Sequence, residues 1–365
     1  MKNISTLQLI KIYFHKEKKK ILDFFFIWLY GRVYIHSNLK KNLFFEKKKI
    51  IDKLNYSVYT IPNGKLYTDR IVNVAYINNN FIIKGPSIQL KNFTQSSISN
   101  NIVLKSGTPR IIKNVHGRVL STLIGASGNK NYWHWLFEVL PRIFLYQKFF
   151  SLNNLDKILV PSLKENFQTE TLLALGIKIN KVIDSNFYRH IKTKELCATS
   201  HTIQFNIEKI PYWVISELRN RYLKKIRLNK LIQNFERIYI DRSDSATNNI
   251  FRKIINEKEV IDFLISKNFK IIKLSEFSFL DQVSIFNHAK YIVGLHGAGF
   301  ANVIFCKKNT NVLEIKPKKA GNIIKNLSKD SDLKYLNINL NPLDKPIERQ
   351  FGFLYLPISK LKSYV

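Results

Sequence analysis

Cysteine is scarce in this chain of 365 residues, in which only Cys197 and Cys306 occur. Two thiols are too few for a disulfide framework or a cysteine-based zinc site, so we expect a reducing environment. The sequence also lacks internal repeats and a low-complexity tail. Hydrophobic residues make up 45% and aromatic residues 13%, which predicts a folded chain, long enough for two domains with sizeable cores.

Long hydrophobic runs are missing from the N-terminal region. Its longest apolar stretch, residues 21–30, contains Asp23 and is too short to span a bilayer. No apolar core is followed by a small-residue cleavage site, so we expect no secretory signal. Lysines gather just before the stretch, at Lys11, Lys16, Lys18, Lys19 and Lys20. The region is either a helix on an anionic membrane surface or a solvated basic helix followed by a core helix.

Acidic residues are few: 26 Asp and Glu stand against 59 Lys and Arg, which gives a net charge of +33. Such an excess suits nucleic acid, an anionic membrane or a phosphorylated ligand. The abundance of Asn and Ile beside Lys also indicates a biased codon supply. A nucleic-acid-binding protein is one alternative, but no zinc finger, RNP motif or one-sided basic helix occurs. We therefore expect no nucleic acid partner.

Strand and helix patterns alternate along most of the chain, which predicts an α/β fold. We expect a helix over residues 1–30 and a hairpin turn at Asn63-Gly64, between strands 56–61 and 65–68. Asn78, Asn79 and Asn80 predict a second turn. Further strands are predicted at 118–124, 157–160, 181–184, 237–240 and 270–274. Further helices are predicted at 131–150, 165–175, 211–231, 257–267 and 278–289, with residues 224–233 as a linker.

Residues 290–317 form the most informative segment. An apolar run ends in His296-Gly297-Ala298-Gly299, a short helical piece follows, and a second apolar run ends at Glu314. This order predicts a βαβ unit, and ligands on such sheets bind beyond the carboxyl ends of the strands. His296 is then a donor for phosphate oxygens and Glu314 an acceptor from ribose hydroxyls. The alternative is a tight strand-to-helix connection with a buried histidine.

Three charged side chains interrupt the apolar helix predicted at 131–150. His134, Glu138 and Arg142 follow at i, i+4 and i+8, which places them on one stripe. Because unpaired burial is costly, either Glu138 binds Arg142 structurally or the stripe lines a site where Glu138 or His134 moves protons. Trp133 and Trp135 either stack on a sugar ring or pack in the core.

A polar loop rich in cations follows the strand predicted at 237–240. Arg242 stands at the strand end, and Arg252 and Lys253 precede the next helix. Cations gathered at a strand end suit a diphosphate, although a solvated loop in a lysine-rich protein gives the same pattern. The segment from Gly297 to Asn302 only partly resembles G-x-G-x-x-G, so a dinucleotide-dependent oxidoreductase is a further alternative. Asp330-Ser331-Asp332 follows a helix and is interpreted as a turn.

Together these segments resemble the family 61 glycosyltransferases. The matching blocks are residues 131–142 (NYWHWLFEVLPR), 240–257 (IDRSDSATNNIFRKIINE) and 279–317, and the third contains Gln282, HGAG, Asn302 and Glu314. The resemblance implies a GT-B fold, with two Rossmann-like domains facing a central cleft. It implies an acceptor-side domain over 1–230, a nucleotide-sugar-binding domain over 231–340, and a tail over 341–365 that packs back on the first domain.

The resemblance also implies inverting transfer from a nucleotide sugar, UDP-sugar first, without a required metal or other cofactor. Donor contacts carried over by position are Arg242, Arg252, Lys253, His296, Gly297, Ala298, Gly299, Asn302 and Glu314. Substrate contacts are Asn131, Trp133 and Arg142, and the candidate bases are Glu138, His134 and Asp241. The family more often has Ser-Arg-Arg where this chain has Asp241-Arg242-Ser243, which makes Asp241 an unusual acid there.

The biological role expected from the resemblance is the synthesis of bacterial capsular polysaccharide or lipopolysaccharide. A glycan or lipid-linked acceptor would then be the second substrate. We expect a cytoplasmic enzyme, peripheral on the inner face of the plasma membrane.

Overall fold

The computed structural model describes residues 6–35, 43–92, 94–203, 208–226, 232–243, 252–343 and 350–365. The chain forms two compact units, each built from separate segments. Unit 1 consists of Met1–Lys130, Glu138–Leu163 and Asn180–Phe205, and unit 2 of Asn131–Phe137, Lys164–Ile179 and Asn206–Val365. Strands and helices occur in both, which confirms the predicted α/β class. Residues 244–251 of the second matching block, and part of the predicted linker, lie outside the described residues.

Unit 1 is organised around a large mixed sheet. Its strands are β1 (Tyr34–Ile35), β2 (Phe45–Ile51), β3 (Leu54–Pro62), β4 (Lys65–Thr68), β5 (Asn73–Asn78), β6 (Phe81–Ile82), β7 (Ile88–Lys91), β8 (Thr94–Gln95), β9 (Lys113–Ser121), β10 (Lys157–Val160), β11 (Val182–Asp184) and β12 (His190–Thr199). The main path runs β1-β6-β5-β4-β12-β9-β10-β11. Its helices are α1 (Thr6–Tyr30), α2 (Val103–Ser106) and α4 (Leu140–Gln147). Apolar side chains such as Ile61, Leu66, Val119 and Leu196 form its core.

The hairpin predicted at Asn63-Gly64 is wrong. β3 and β4 both pair antiparallel with β12, so the chain continues past these two residues in the same direction. Asn63 has a φ of 48° and donates its N–H to the Lys194 carbonyl. The register is unbroken across the two residues, since Pro62 pairs with Glu195 and Lys65 with Lys192, so Asn63-Gly64 continues the antiparallel pairing with β12. The second predicted turn is confirmed, because Asn79 and Asn80 connect the antiparallel strands β5 and β6.

The helix predicted over residues 131–150 is present but irregular. It begins as α3 (Tyr132–His134), widens to a π-helical turn over Trp135–Val139, and ends as α4. A π turn has more residues per turn than an α-helix, so the i, i+4, i+8 spacing no longer keeps three side chains on one line. The helix predicted at 211–231 is shorter, as α6 (Tyr212–Tyr222).

Unit 2 contains a parallel sheet. Its strands are β13 (Arg237–Asp241), β15 (Lys270–Lys273), β16 (Tyr291–Leu295), β17 (Asn311–Pro317) and β18 (Lys334–Leu340), arranged β15-β13-β16-β17-β18. In chain order this is 2-1-3-4-5, one of the common orders of doubly wound sheets. The connecting helices are α7 (Glu257–Ser266), α8 (Phe279–His288), a 3₁₀ helix over Ala298–Phe305, and α9 (Ile323–Asp330). Also in unit 2 is α5 (Asn166–Ala174).

The C-terminal segment belongs to unit 2. β19 (Gly352–Leu354) pairs in parallel with β14 (Arg252–Ile254), and α10 (Ile358–Lys362) follows. Leu354 and Leu361 enter the same apolar core as Val293 and Leu313. The pairing places Arg252 at the start of β14, with its backbone fixed by the returning chain.

None of the helices in the described part of the chain combines the length and the hydropathy that crossing a bilayer requires.

Candidate active site

The sheet of unit 2 reverses its winding between β13 and β16. These strands are neighbours in the sheet, and the chain leaves them in opposite directions, toward β15 and toward β17. Asp241 ends β13 and Arg242 follows it, and residues 296–297 follow β16. Both pairs therefore lie at the carboxyl edge of the sheet, where the winding reverses. Open α/β sheets bind their ligands in the crevice at this point.

Two arginines converge on one backbone oxygen at this edge. Arg242 Nη1 and Arg252 Nη1 both donate to the His296 carbonyl, the latter at 3.0 Å. The Arg242 guanidinium also lies against Gly297: a Cβ at that position would stand 2.8 Å from Arg242 Cζ. Position 297 thus needs glycine for the close approach of a cation, since its φ of 171° is ordinary extended backbone.

Arg252 is a buried cation whose charge is poorly compensated. It is 8% exposed, and among the described residues its Nε has no hydrogen-bond partner. Burial, and then the charge of Arg242, lower the pKa of Arg252 to about 10, while Glu314 opposes the shift. Two like charges held together in this way favour the binding of an anion, which would supply the missing counter-charge.

His296 and Glu314 form a buried dyad beside these arginines. His296 Nδ1 contacts Glu314 Oε1, and the Tyr335 hydroxyl donates to Glu314 Oε2. Burial and the charge of Glu314 raise the pKa of Tyr335 far above its ordinary value. Lys316 Nζ lies 3.9 Å from Glu314 Oε2. The carboxylate thereby fixes the orientation of the His296 ring.

The other ring nitrogen of His296 faces the C-terminal segment. Nε2 lies 3.0 Å from Gln350 Oε1. With Nδ1 held by Glu314, Nε2 is the imidazole atom left for a ligand that displaces the Gln350 amide.

An amide network connects the following 3₁₀ helix with its neighbours. Asn302 is fully buried, donates to Gln282 Oε1 at 3.0 Å and accepts from the Tyr132 hydroxyl. Gln282 in turn donates to the carbonyls of Leu274 and Phe277. In this structure Asn302 therefore holds α3 and α8 against the 3₁₀ helix.

The first turn of α3 places three predicted residues in unit 2. Asn131 is the N-cap, because its side chain accepts from the N–H groups of Trp133 and His134. The Trp133 ring packs edge-on against Phe137, with ring centroids 4.6 Å apart. Trp133 and His134 are both partly exposed.

Glu138 and Arg142 belong to unit 1. Arg142 is 1% exposed, donates to the carbonyl and hydroxyl oxygens of Thr199, and lies 3.0 Å from His201 Nδ1. Burial lowers the pKa of Arg142, and the nearby charge of Glu138 opposes the shift. The structure thus places the Arg142 side chain in the interior of unit 1, where it connects α4 with the end of β12.

The remaining predicted residues lie in unit 2. Asp241 is 8% exposed and accepts from the backbone N–H and hydroxyl of Ser243. Lys253 Nζ stands 4.8 Å above the Phe353 ring, across the β14–β19 pair. Ala298 and Gly299 begin the 3₁₀ helix, and a Cβ at position 299 would meet Leu274 Cδ1 at 2.8 Å.

The Asp330–Asp332 segment forms the predicted turn after α9, and Asp332 has a φ of 57°. Lys209 lies 3.6 Å from Asp330 and Lys308 lies 2.9 Å from Asp332, so lysines partner both carboxylates. In the ranges that the structure describes, no three His, Cys, Asp or Glu side chains gather as a metal-ligand set.

Four residues of this environment were not predicted from the sequence: Tyr132, Lys316, Tyr335 and Gln350. Tyr335 is the second residue of β18, and Lys316 lies near the end of β17. The alternation of apolar and polar residues predicts a strand at these positions but gives no sign of a functional role. A polar residue near the end of a parallel strand was the available signal for Lys316. Gln350 lies far along the chain from His296, and no local pattern connects them.

The fold and the site define an α/β protein with two arginines gathered at the carboxyl edge of a doubly wound sheet. The family model described as Glycosyltransferase 61 matches residues 132–313, a segment that includes β13, the described part of β14, β16 and the dyad histidine. This match supports family 61 as the family of the chain and a glycosyltransferase as its class. Such an enzyme uses a nucleotide-sugar donor and an acceptor. No curated protein matches the chain.

Proposed function

We propose that this glycosyltransferase is an inverting enzyme that binds the diphosphate of its nucleotide-sugar donor, a UDP-sugar first, at the carboxyl edge of the unit 2 sheet. The observation that carries the proposal is the convergence of Arg242 and Arg252 on the His296 carbonyl, with Arg252 buried and its Nε unpartnered. Lys253, His296 and the backbone of residues 297–299 complete the donor site in this proposal. Asn302 and Glu314 position the helix and the His296 ring.

The proposed reaction is a single displacement. The acceptor hydroxyl oxygen attacks the anomeric carbon from the side opposite the leaving group, and the carbon–oxygen bond to the diphosphate breaks. The electron pair of that bond stays on the diphosphate oxygen, where the two guanidinium groups stabilise the added charge. The proton of the acceptor hydroxyl passes to a base.

Glu138, His134 and Asp241 are the proposed candidates for that base. His134 and Asp241 belong to unit 2, as the arginines do, whereas Glu138 belongs to unit 1. The candidates are separated by measuring kcat and UDP binding for His134→Ala, Glu138→Gln and Asp241→Asn. Loss of the base lowers kcat by about a hundredfold or more and leaves the Kd for UDP unchanged. If all three variants keep normal kcat, none of these residues is the base.

The donor site is tested by replacing Arg252 with alanine. Removing one charge-assisted hydrogen bond costs about 1.5–3 kcal/mol, so we expect about a ten- to hundredfold lower kcat/KM and weaker UDP binding. Lys290→Ala is the matched control, because Lys290 is an exposed cation paired with Glu236 on the surface of the same unit. Normal UDP affinity in a folded Arg252→Ala variant would refute the site.

Metal independence is proposed because cations of the chain itself take the charge of the leaving diphosphate. We expect full activity in EDTA, since Arg242 and Arg252 need no divalent ion. The measurement is initial rate before and after chelation, with manganese or magnesium added back. Activity that disappears with EDTA and returns with manganese would overturn this part of the proposal.

The GT-B arrangement and a role in bacterial capsule or lipopolysaccharide synthesis are also proposed, and both rest on the family resemblance. A cytoplasmic location on the inner membrane face is supported by the surface of α1. Apolar side chains at helical spacing are exposed there, including Phe14, Ile21, Phe25 and Trp28, and Lys16, Lys18, Lys19 and Lys20 lie beside them.

An exposed apolar patch of unit 1 extends this surface. A cavity of about 470 Å³ is lined by Phe26 of α1 together with Ile111, Phe187 and the cations Arg110 and Arg189. Ile111 is 76% and Phe187 68% exposed. Apolar side chains next to cations suit the boundary between lipid headgroups and acyl chains.

A further inference from the structure

A second cationic cavity lies in unit 1, at the C-terminal end of α1. It has a volume of about 420 Å³ and is lined by Tyr30, Asn63, Lys65, Asn79, Asn80 and Lys192. The lining contains two ammonium groups, amides and a phenol, and no carboxylate. Its residues all belong to unit 1, whereas Arg242, Arg252 and His296 belong to unit 2.

The two lysines are directly opposite each other in the sheet. Lys192 of β12 pairs with Lys65 of β4 in antiparallel register, so both side chains project from the same face. Like charges at directly opposed positions destabilise a sheet. Burial, and then the charge of Lys192, lower the pKa of Lys65, and in the described part of the chain no carboxylate forms an ion pair with either lysine.

The contacts of Lys65 do not cancel the repulsion between its ammonium group and that of Lys192. Lys65 Nζ lies 3.4 Å from Asn80 Oδ1, at the long limit of a hydrogen bond. The Asn80 amide nitrogen donates to the Tyr30 carbonyl, which caps the end of α1. A neutral amide oxygen cannot neutralise two ammonium groups. Lys192 is exposed and Lys65 half-buried, so an anion can enter the cavity from solvent and remove the repulsion between the two ammonium groups.

We infer that this cavity binds the phosphoryl group of a lipid-borne acceptor. The two ammonium groups of Lys65 and Lys192 suit the charged oxygens of a phosphoryl group. The lipid follows from position, because Tyr30 is the last residue of α1, the helix whose exposed apolar face carries Phe25 and Trp28. The role as acceptor site rests on the proposed function, while the binding of a phosphoryl group does not.

Site-resolved acetylation of lysines in the full chain tests the inference. The protein is treated with an acylating reagent at neutral pH, alone and with farnesyl diphosphate, inorganic pyrophosphate or UDP, and each lysine is quantified by mass spectrometry. We expect farnesyl diphosphate to slow acetylation of Lys65 and Lys192 about tenfold. Lys49 and Lys91 are exposed lysines of the same unit and serve as internal controls with unchanged rates.

A matched pair of variants gives the affinity. Lys65→Gln/Lys192→Gln removes two charges from the cavity, and Lys49→Gln/Lys91→Gln removes the same charge elsewhere on unit 1. We expect the first variant to bind farnesyl diphosphate about ten- to a hundredfold more weakly and the second to bind it normally. Both should keep the wild-type Kd for UDP.

The outcomes separate the inference from the proposed function. Unprotected Lys65 and Lys192, with UDP binding that still depends on Arg252, would overturn the inference and leave the function standing. Protection by farnesyl diphosphate in a chain that binds no UDP would support the phosphoryl site and remove the glycosyltransferase role. Protection by pyrophosphate but not by farnesyl diphosphate would exclude a lipid as the source.

Discussion

Gly297 determines how closely the Arg242 guanidinium approaches the backbone of the proposed donor site. The sequence predicted only that Gly297 lies beside a bound ligand. The structure shows that the neighbour is the Arg242 guanidinium, which occupies the space of the missing side chain. Arg242 and Gly297 come from different strand ends, and a pairing of this kind between distant residues is not encoded in either local pattern.

Replacing Gly297 with alanine should therefore weaken donor binding while the fold is kept. The added methyl would displace the end of a flexible arginine side chain, and the backbone at φ 171° accepts alanine without strain. We expect about a tenfold higher Kd for UDP, from the displacement of one charge-assisted contact, and little change in the free energy of unfolding.

Lys290→Ala is the control for this substitution. Lys290 is an exposed cation that precedes β16 and pairs with Glu236, so UDP binding should be retained. Isothermal titration with UDP and chemical denaturation measure the two quantities. Equal UDP affinity in Gly297→Ala and the wild type would show that Arg242 does not bind the donor from its observed position.

The residues that hold the side chains of His296 and Glu314 in position were the hardest to predict. The sequence predicted His296 and Glu314 at strand ends. His296 does follow β16, but β17 extends to Pro317 and Glu314 lies in its middle. Tyr335 and Gln350 complete the hydrogen bonds of these two residues from later segments. A tyrosine in a strand has many structural uses, and only tertiary pairing shows that its hydroxyl meets a buried carboxylate.

The regular elements were predicted well wherever periodicity alone decides them. The strand at 157–160 has the predicted bounds, and the helix predicted at 278–289 is α8, with Ser278 as its N-cap. The straight course of the chain through Asn63-Gly64 was missed because an Asn-Gly pair between two strands is a strong hairpin signal. The chain does not turn there because both flanking strands pair with β12, more than a hundred residues later.

The π turn in the helix at 131–147 has a similar origin. No local pattern distinguishes an α-helix from a helix with one inserted residue, so the predicted stripe of His134, Glu138 and Arg142 assumed regular geometry. Trp135 in the π turn donates its Nε1–H to Thr171 Oγ1 at 2.8 Å, a contact with α5 that the sequence does not indicate.

The exposed face of α1 leads to a prediction about membranes. Phe24 and Trp28 are 75% and 74% exposed, and we expect them to insert at the lipid boundary while the neighbouring lysines contact anionic headgroups. Phe24→Ser/Trp28→Ser should bind vesicles containing phosphatidylglycerol about tenfold or more weakly than wild type, because two large apolar side chains are lost.

Cosedimentation with vesicles of different charge checks this prediction. Tyr212→Ser is the control, since Tyr212 is 63% exposed on unit 2. Binding should be strong with phosphatidylglycerol and weak with phosphatidylcholine alone. Vesicle binding that is the same in wild type and in the double serine variant would rule out α1 as the contact.

At the scale of the whole molecule, buried histidines in unit 1 predict sensitivity to acid. Burial lowers the pKa of His190 to about 4, and burial together with Arg142 lowers the pKa of His201 to about 3. Below the unfolded value of about 6.5 the unfolded chain binds protons that the folded chain does not. The free energy of unfolding should therefore fall from pH 6.5 to about 4, by about 1.4 kcal/mol per pH unit for each group.

Chemical denaturation at pH 7, 5.5 and 4.5 measures this loss. His190→Asn/His201→Asn removes both titrating groups and should show a smaller decrease between pH 7 and 4.5 than wild type. His116→Asn removes an exposed imidazole of the same unit and should leave the wild-type decrease unchanged. An identical pH dependence in all three proteins would show that the buried rings do not control acid stability.

The segments that make up the two units could not be predicted from the sequence, because each unit consists of several separate segments. Composition and linkers suggest contiguous domains, but residues 131–137 and 164–179 join a unit that otherwise begins at residue 206. Tyr132 and Glu170 make hydrogen bonds there, to Asn302 and to the N–H of Phe279 at the start of α8. The composition of such short segments does not indicate to which unit they belong.

This interleaving limits how such a chain can recombine. A single crossover that moved residues 206–365 into a related enzyme would separate Asn302 from Tyr132 and α8 from the carboxylate that caps it. Chimeras intended to exchange unit 2 would have to carry three inserts together, and natural exchange of this unit should be rarer than in proteins whose units are each encoded as one uninterrupted stretch.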